Sequence, residues 1–175
     1  MRLFIAAELP EQIAEALAAT SAELRANVRG RYVAPDSFHV TLAFLGNVEA
    51  ARVNDAADAL AEGCRSARAF EAALGELGSF GRRSKATLWQ GFRDESAFRE
   101  LATSVRAELT RRDFAFDDKP FRAHITLMRA ANLAAGQLPS PALASGMVRA
   151  VTLFKSDLSG PRPVYEPLAT VGLPA

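Results

Sequence analysis

The chain has a single cysteine, Cys64, in 175 residues, which excludes an internal disulfide and any cysteine-built metal centre. No sign of charge dominates. Twenty-one Lys and Arg face 20 Asp and Glu, for a net charge of +1, so bulk electrostatics do not draw the chain toward nucleic acid. Any anion site must come from local arrangement. Long apolar runs are also missing: the opening "MRLFIAAELPEQ" is broken by Glu8 and Pro10, too early for a leader or a membrane span. A cytoplasmic, soluble monomer with no membrane association is therefore expected. No Gly-rich loop follows the first strand-like run, which argues against a doubly wound nucleotide-binding fold. Histidine is scarce too, with only His39 and His124.

Apolar residues make up 49% of the chain, enough for a real core, and the length suits one domain over residues 1–175. The two histidines share a context, "FHVTLAFLG" and "FRAHITLMR", and lie 85 residues apart. Sliding the chain by that interval places Pro35 on Pro120, Val40 on Ile125, Thr41 on Thr126 and Leu42 on Leu127. It also brings Leu3-Phe4 onto Leu88-Trp89 and Ile13 onto Phe98. An internal duplication follows, with sequence halves of about 1–80 and 81–175.

Element by element the halves agree. "RLFIAAEL" and "ATLWQGF" read as strands. A helix is expected from Pro10 toward Gly30 on Ile13, Leu17 and Leu24, and another after Asp94 as N-cap on Phe98, Leu101, Val105 and Leu109. Each histidine segment is β-branched and apolar, hence a strand. Residues 51–64 read as a helix, "FEAALGELGSF" as a strand, and the stretches 146–158 and 164–173 as strands joined by "SGPRP". Residues 131–145 fit a short helix or a loop. Two similar halves of this kind imply an α/β or α+β fold of two pseudo-symmetric lobes.

Period-two alternation puts His39 with Thr41, and His124 with Thr126, on one face of each strand. Val40, Leu42, Ile125 and Leu127 then face the core. Two imidazoles and two hydroxyls around one cleft suit attack on a phosphodiester. One histidine takes a proton from the nucleophile, the other gives one to the leaving oxygen, and the hydroxyls donate to the phosphoryl oxygens. No cofactor and no metal are required, and a bell-shaped pH dependence near neutrality is expected.

The pieces "MRLFIAAELP", "FHVTLAFLG", "KPFRAHITLMR" and "VTLFKSDLSGPRPVYEPLAT" resemble, in order, the 2H phosphoesterase superfamily, and within it the RNA 2′,3′-cyclic phosphodiesterases, also called 2′-5′ RNA ligases. The resemblance implies an α+β fold whose two lobes, each a sheet with helices on its outer face, flank a central cleft carrying the two H-x-T strands. It implies hydrolysis of RNA or nucleoside 2′,3′-cyclic phosphate to the 2′-phosphomonoester, with 2′-5′ ligation as a reverse-type reaction. Its partners would be RNA ends bearing the cyclic phosphate, or small cyclic nucleotides.

By the same resemblance His39 is the proton donor to the leaving 3′-oxygen, His124 the proton acceptor that activates water, and Thr41 and Thr126 hold the phosphate. Phe44 and Arg129, each five residues past a histidine, match substrate contacts of the family, although strand parity points both away from their histidines. Arg122 shares a face with His124 by parity, where it would meet phosphate or a neighbouring acid. Lys119 and Ala123 stand where the family commonly has Arg and Pro. A sister activity on another cyclic phosphate or 2′-5′ oligonucleotide, and a non-catalytic RNA-end-binding module, are the alternatives. The basic loop "GRRSK" at 81–85 is either a modest RNA contact or a solvated turn.

Overall fold

A computed structural model describes residues 1–134 and 138–175. The chain opens with β1 (Arg2–Glu8), whose residues Leu3 to Ala7 are all buried, so this strand is covered on both faces. Pro10 cannot donate, but its carbonyl accepts from Ile13 and Ala14, and α1 (Glu11–Asn27) follows with Ile13, Leu17 and Leu24 buried. The helix stops short of Gly30. Val28 turns extended and buries its side chain while its N–H still bonds Leu24 O at 2.8 Å.

Next come β2 (Arg31–Tyr32), β3 (His39–Asn47), α2 (Val53–Gly63) and β4 (Phe70–Phe80). The chain continues through β5 (Ala86–Phe92), α3 (Ser96–Arg111), β6 (His124–Ala131), β7 (Ser145–Val148), β8 (Ala150–Asp157) and β9 (Val164–Gly172). Asp94 lies one position earlier than a formal N-cap, yet its Oδ1 accepts from Ser96 N at 2.8 Å. Of the ambiguous stretch 131–145, residues 135–137 lie outside the described residues, Ala131 closes β6, and 138–144 carry no regular element.

The strands form two antiparallel sheets, ordered β3-β1-β8-β9 and β2-β6-β5-β4-β7. This is the expected two-lobed α+β architecture. The lobes do not coincide with the sequence halves. The last two strands return to the sheet of β1, β8 beside it and β9 beyond, while β2 and β4 cross to the other sheet. Helices bind the lobes together: Phe98 of α3 packs on Phe70 of β4 and Phe92 of β5, and α2 lies against β8 and β9. Where α2 meets α3, a side chain at Gly63 would come within 2.7 Å of Val105 Cα, so this close crossing requires glycine. One continuous apolar core results.

Candidate active site

Both histidines open a strand. Val40, Leu42, Ile125 and Leu127 are fully buried on the core side, each stabilising its strand by about 1.5–3 kcal/mol, and this anchoring leaves the half-buried His39, Thr41, His124 and Thr126 on the other face. The four side chains line one cavity of about 540 Å³ between the sheets, within the size range of small-molecule sites.

Each strand then departs from simple alternation at the same place. In β3 the pairing steps from Ala6↔Thr41 to Ile5↔Ala43, so Leu42 is an extra residue; in β6 it steps from Trp89↔Thr126 to Leu88↔Met128, so Leu127 is extra. Each bulge reverses parity beyond it. Ala43 and Met128 turn into the core, while Phe44 and Arg129 turn into the cleft and line it with the histidines. Simple strand parity, which points both residues away from their histidines, therefore fails at these two positions because of the bulges. The bulge carbonyls are also satisfied from outside their own hairpins: Leu127 O accepts from Val33 N at 3.0 Å, and Leu42 O from Arg106 Nε at 2.8 Å.

The two imidazoles are fastened in the same way. His39 Nδ1 bonds Ser37 O at 2.7 Å and His124 Nδ1 bonds Arg122 O at 2.6 Å, in each case a carbonyl two residues back. A carbonyl only accepts, so Nδ1 carries the proton in both rings and Nε2 is the exchangeable nitrogen. His39 Nε2 lies 3.0 Å from Thr41 Oγ1, whereas His124 Nε2 has no hydrogen-bond partner among the described residues. Aromatic rings wall both: Phe4 and Tyr165 pack on His39, at 4.9 and 5.4 Å between centroids, and Phe80 and Trp89 on His124, at 5.1 and 5.8 Å.

Burial among these rings is the largest cause pulling the His39 pKa down to about 4, and the Arg129 and His124 charges add to it against the Ser37 hydrogen bond. Burial likewise lowers His124, helped by Arg129 and Arg122 and opposed by the bond to Arg122 O. Arg129 thus acts on both rings. It is exposed and has no carboxylate partner among the described residues, which leaves it free for an anion.

Arg122 does share the side of His124, as parity indicated, and it meets the neighbouring acid. Its guanidinium lies 5.2 Å from the Trp89 ring centre and 4.0 Å from Glu95. Glu95 also holds the backbone before His124: its Oε2 accepts from Ala123 N at 3.1 Å, a bond that a proline at this position could not make. Lys119 lines the cleft beside Asp117. The "GRRSK" turn is held by Arg83, which bonds Leu133 O at 2.9 Å. Tyr165 and Arg106 are among the cleft residues that the sequence does not mark. The first depends on a strand pairing from the far end of the chain, and the second is an arginine on an amphipathic helix like its neighbours. Among the described residues no group of three or more His, Cys, Asp or Glu is positioned to hold a metal ion, and no helix is long and apolar enough to cross a membrane.

Comparison with known proteins places the same segments in one family. The family model described as LigT-like phosphoesterase matches residues 7–89. An RNA 2′,3′-cyclic phosphodiesterase of Escherichia coli is 34% identical over 169 residues, covering 95% of this chain and 93% of the relative. One from Geobacillus stearothermophilus is 33% identical over 128 residues, covering 72% of this chain but only 41% of that protein's length. Escherichia coli LigT crystallised with 3′-AMP superposes with a TM-score of 0.82 at 32% identity, over 98% of this chain and 97% of that one. With two similarly anchored histidines facing one cleft, and relatives of this identity over nearly the whole chain, the protein belongs to the LigT-like family of two-histidine phosphoesterases.

Proposed function

We propose that the protein opens 2′,3′-cyclic phosphates at RNA ends or on small nucleotides, yielding the 2′-phosphomonoester. The observation that carries this reading is the pair of imidazoles whose Nδ1 atoms are tied to backbone carbonyls, leaving both Nε2 atoms toward one cavity. The names of the relatives and the 3′-AMP held by the Escherichia coli LigT structure support a nucleotide phosphate as ligand.

In this reading His124 takes a proton from water through Nε2, the water oxygen bonds to phosphorus, the P–O3′ bond breaks, and O3′ takes a proton from His39 Nε2. The free Nε2 lone pair of His124 supports its part as base, since that of His39 is already met by the Thr41 hydroxyl. Thr126 donates to a non-bridging oxygen, Thr41 does so once His39 Nε2 is protonated and no longer accepts its hydroxyl proton, Arg129 balances their charge, and Phe44 offers a face to the base. Each step needs only side chains of this chain. With a 5′-hydroxyl in place of water the same displacement joins two ends through a 2′-5′ bond. Residues 1–175 act as one internally duplicated domain, each half contributing one histidine.

The test is to incubate the protein with an RNA ending in a 2′,3′-cyclic phosphate and identify the phosphomonoester. A 2′-phosphate supports the reading. A 3′-phosphate overturns the assigned leaving group.

A further inference from the structure

A second cavity of about 560 Å³ is lined by Glu76, Trp89, Arg93, Pro141 and Leu143 among others. Arg122 borders both cavities and rests over Trp89, which in turn packs on His124. The second cavity therefore lies on the His124 side of the reacting centre. Its wall is firmly built. Gln90 is fully buried, and its Nε2 donates to Gly75 O and Ala142 O, both at 2.8 Å, while its Oε1 accepts from Ala142 N at 3.2 Å. Leu74 N adds a bond to Ala144 O at 2.9 Å. These bonds fasten residues 142–144 to the sheet although they form no strand. At the rim Leu143 is 78% exposed, and Arg93 has no carboxylate partner among the described residues.

We infer that this second cavity is an acceptor subsite, holding a nucleotide that presents its 5′-hydroxyl to phosphorus from the side of His124. The inference rests on the paired-histidine reading above and on the geometry of in-line displacement. Entering and leaving oxygens lie on opposite sides of phosphorus. O3′ belongs to the ribose that carries the cyclic phosphate, so that nucleoside occupies the His39 side. Whatever carries the entering oxygen occupies the His124 side. Water needs no cavity there, whereas a nucleoside needs one of about this size.

The step balances without a co-reactant. The 5′-hydroxyl gives its proton to His124 Nε2, an O5′–P bond forms, the P–O3′ bond breaks, and O3′ takes the proton of His39. The product is a 2′-5′ diester with a free 3′-hydroxyl. Pro141 and Leu143 supply apolar surface for the acceptor base, and Arg93 and Arg122 face its downstream phosphates.

The experiment supplies adenosine 2′,3′-cyclic phosphate with increasing amounts of a 5′-hydroxyl RNA trinucleotide and measures 2′-phosphate and 2′-5′ product together. Wild type should give transfer that saturates with trinucleotide. Arg93→Glu and Leu143→Asp should each lower the ratio of transfer to hydrolysis about tenfold while hydrolysis stays within about twofold. A ratio unchanged in both variants overturns the acceptor site. So does a wild type that hydrolyses the cyclic nucleotide but forms no transfer product, or one whose transfer never saturates. If wild type does neither reaction, the paired-histidine reading itself fails.

Discussion

Arg106 Nε donates to Leu42 O at 2.8 Å, so a helix of one sequence half holds the bulge that turns Phe44 into the cleft. The same guanidinium donates to Lys119 O at 3.2 Å and lies over Phe116 and Phe121, both at 5.6 Å, while Asp117 N bonds Phe44 O at 2.9 Å. Replacing Arg106 by Ala leaves the bulge carbonyl without its donor. A loss of about 1.5–3 kcal/mol in unfolding free energy is expected, together with a higher KM for nucleotide as Phe44 loses its setting. Arg106→Lys should recover part of both. Chemical denaturation and steady-state kinetics on the two variants check this.

Arg129 makes a different prediction, because its charge lowers both histidines. Arg129→Ala should raise KM about 10- to 100-fold by removing a charged partner of the phosphate. It should also raise both imidazole pKa values, since a cation that disfavoured the imidazolium is gone. Both limbs of the pH–rate profile then move to higher pH, a shift that loss of a purely structural residue would not cause.

The wild-type profile itself is displaced. Turnover requires one proton shared across the pair, on His39 and not on His124. Burial brings His39 to about 4 and lowers His124 as well, so both ionisations of the free pair fall on the acid side of the ordinary histidine range, and the form with its proton on His39 is the minor one of the singly protonated pair. The maximum of kcat/KM is therefore expected on the acid side of pH 6.5, below the neutral optimum that unperturbed histidines would give. A bound phosphate anion favours both imidazolium forms, so the maximum of kcat should lie at higher pH. A flat profile from pH 5 to 9 would contradict paired proton transfer.

Gln90 tests the scaffold. Gln90→Leu removes the donor to Gly75 O and Ala142 O and the acceptor for Ala142 N, leaving buried backbone groups unpaired. A loss of about 2–3 kcal/mol is expected by urea denaturation.

The histidine pair was legible because a strand has period two and a repeat announces itself: both motifs appear at a fixed interval, and α1 and α3 begin at Glu11 and Ser96, the same 85 residues apart. Phe44 and Arg129 were misdirected for an equally physical reason. A bulge costs one residue of register, and Leu42 and Leu127 are ordinary members of apolar runs, so nothing in composition marks them. Tyr165 lies beyond a local reading because β9 reaches His39 only through pairing with β8 and β1. The exchange of strands between lobes was hidden likewise, since alternation along a strand does not name its neighbour.

The central claim is that two imidazoles share one proton-transfer cycle. Its most direct test is the turnover of a 2′,3′-cyclic nucleotide by His39→Ala and His124→Ala, each shown by circular dichroism to be folded, with EDTA present throughout. Each variant should lose about 10²–10⁴ of kcat while wild type is unaffected by the chelator. Near-wild-type turnover in either variant would contradict the account.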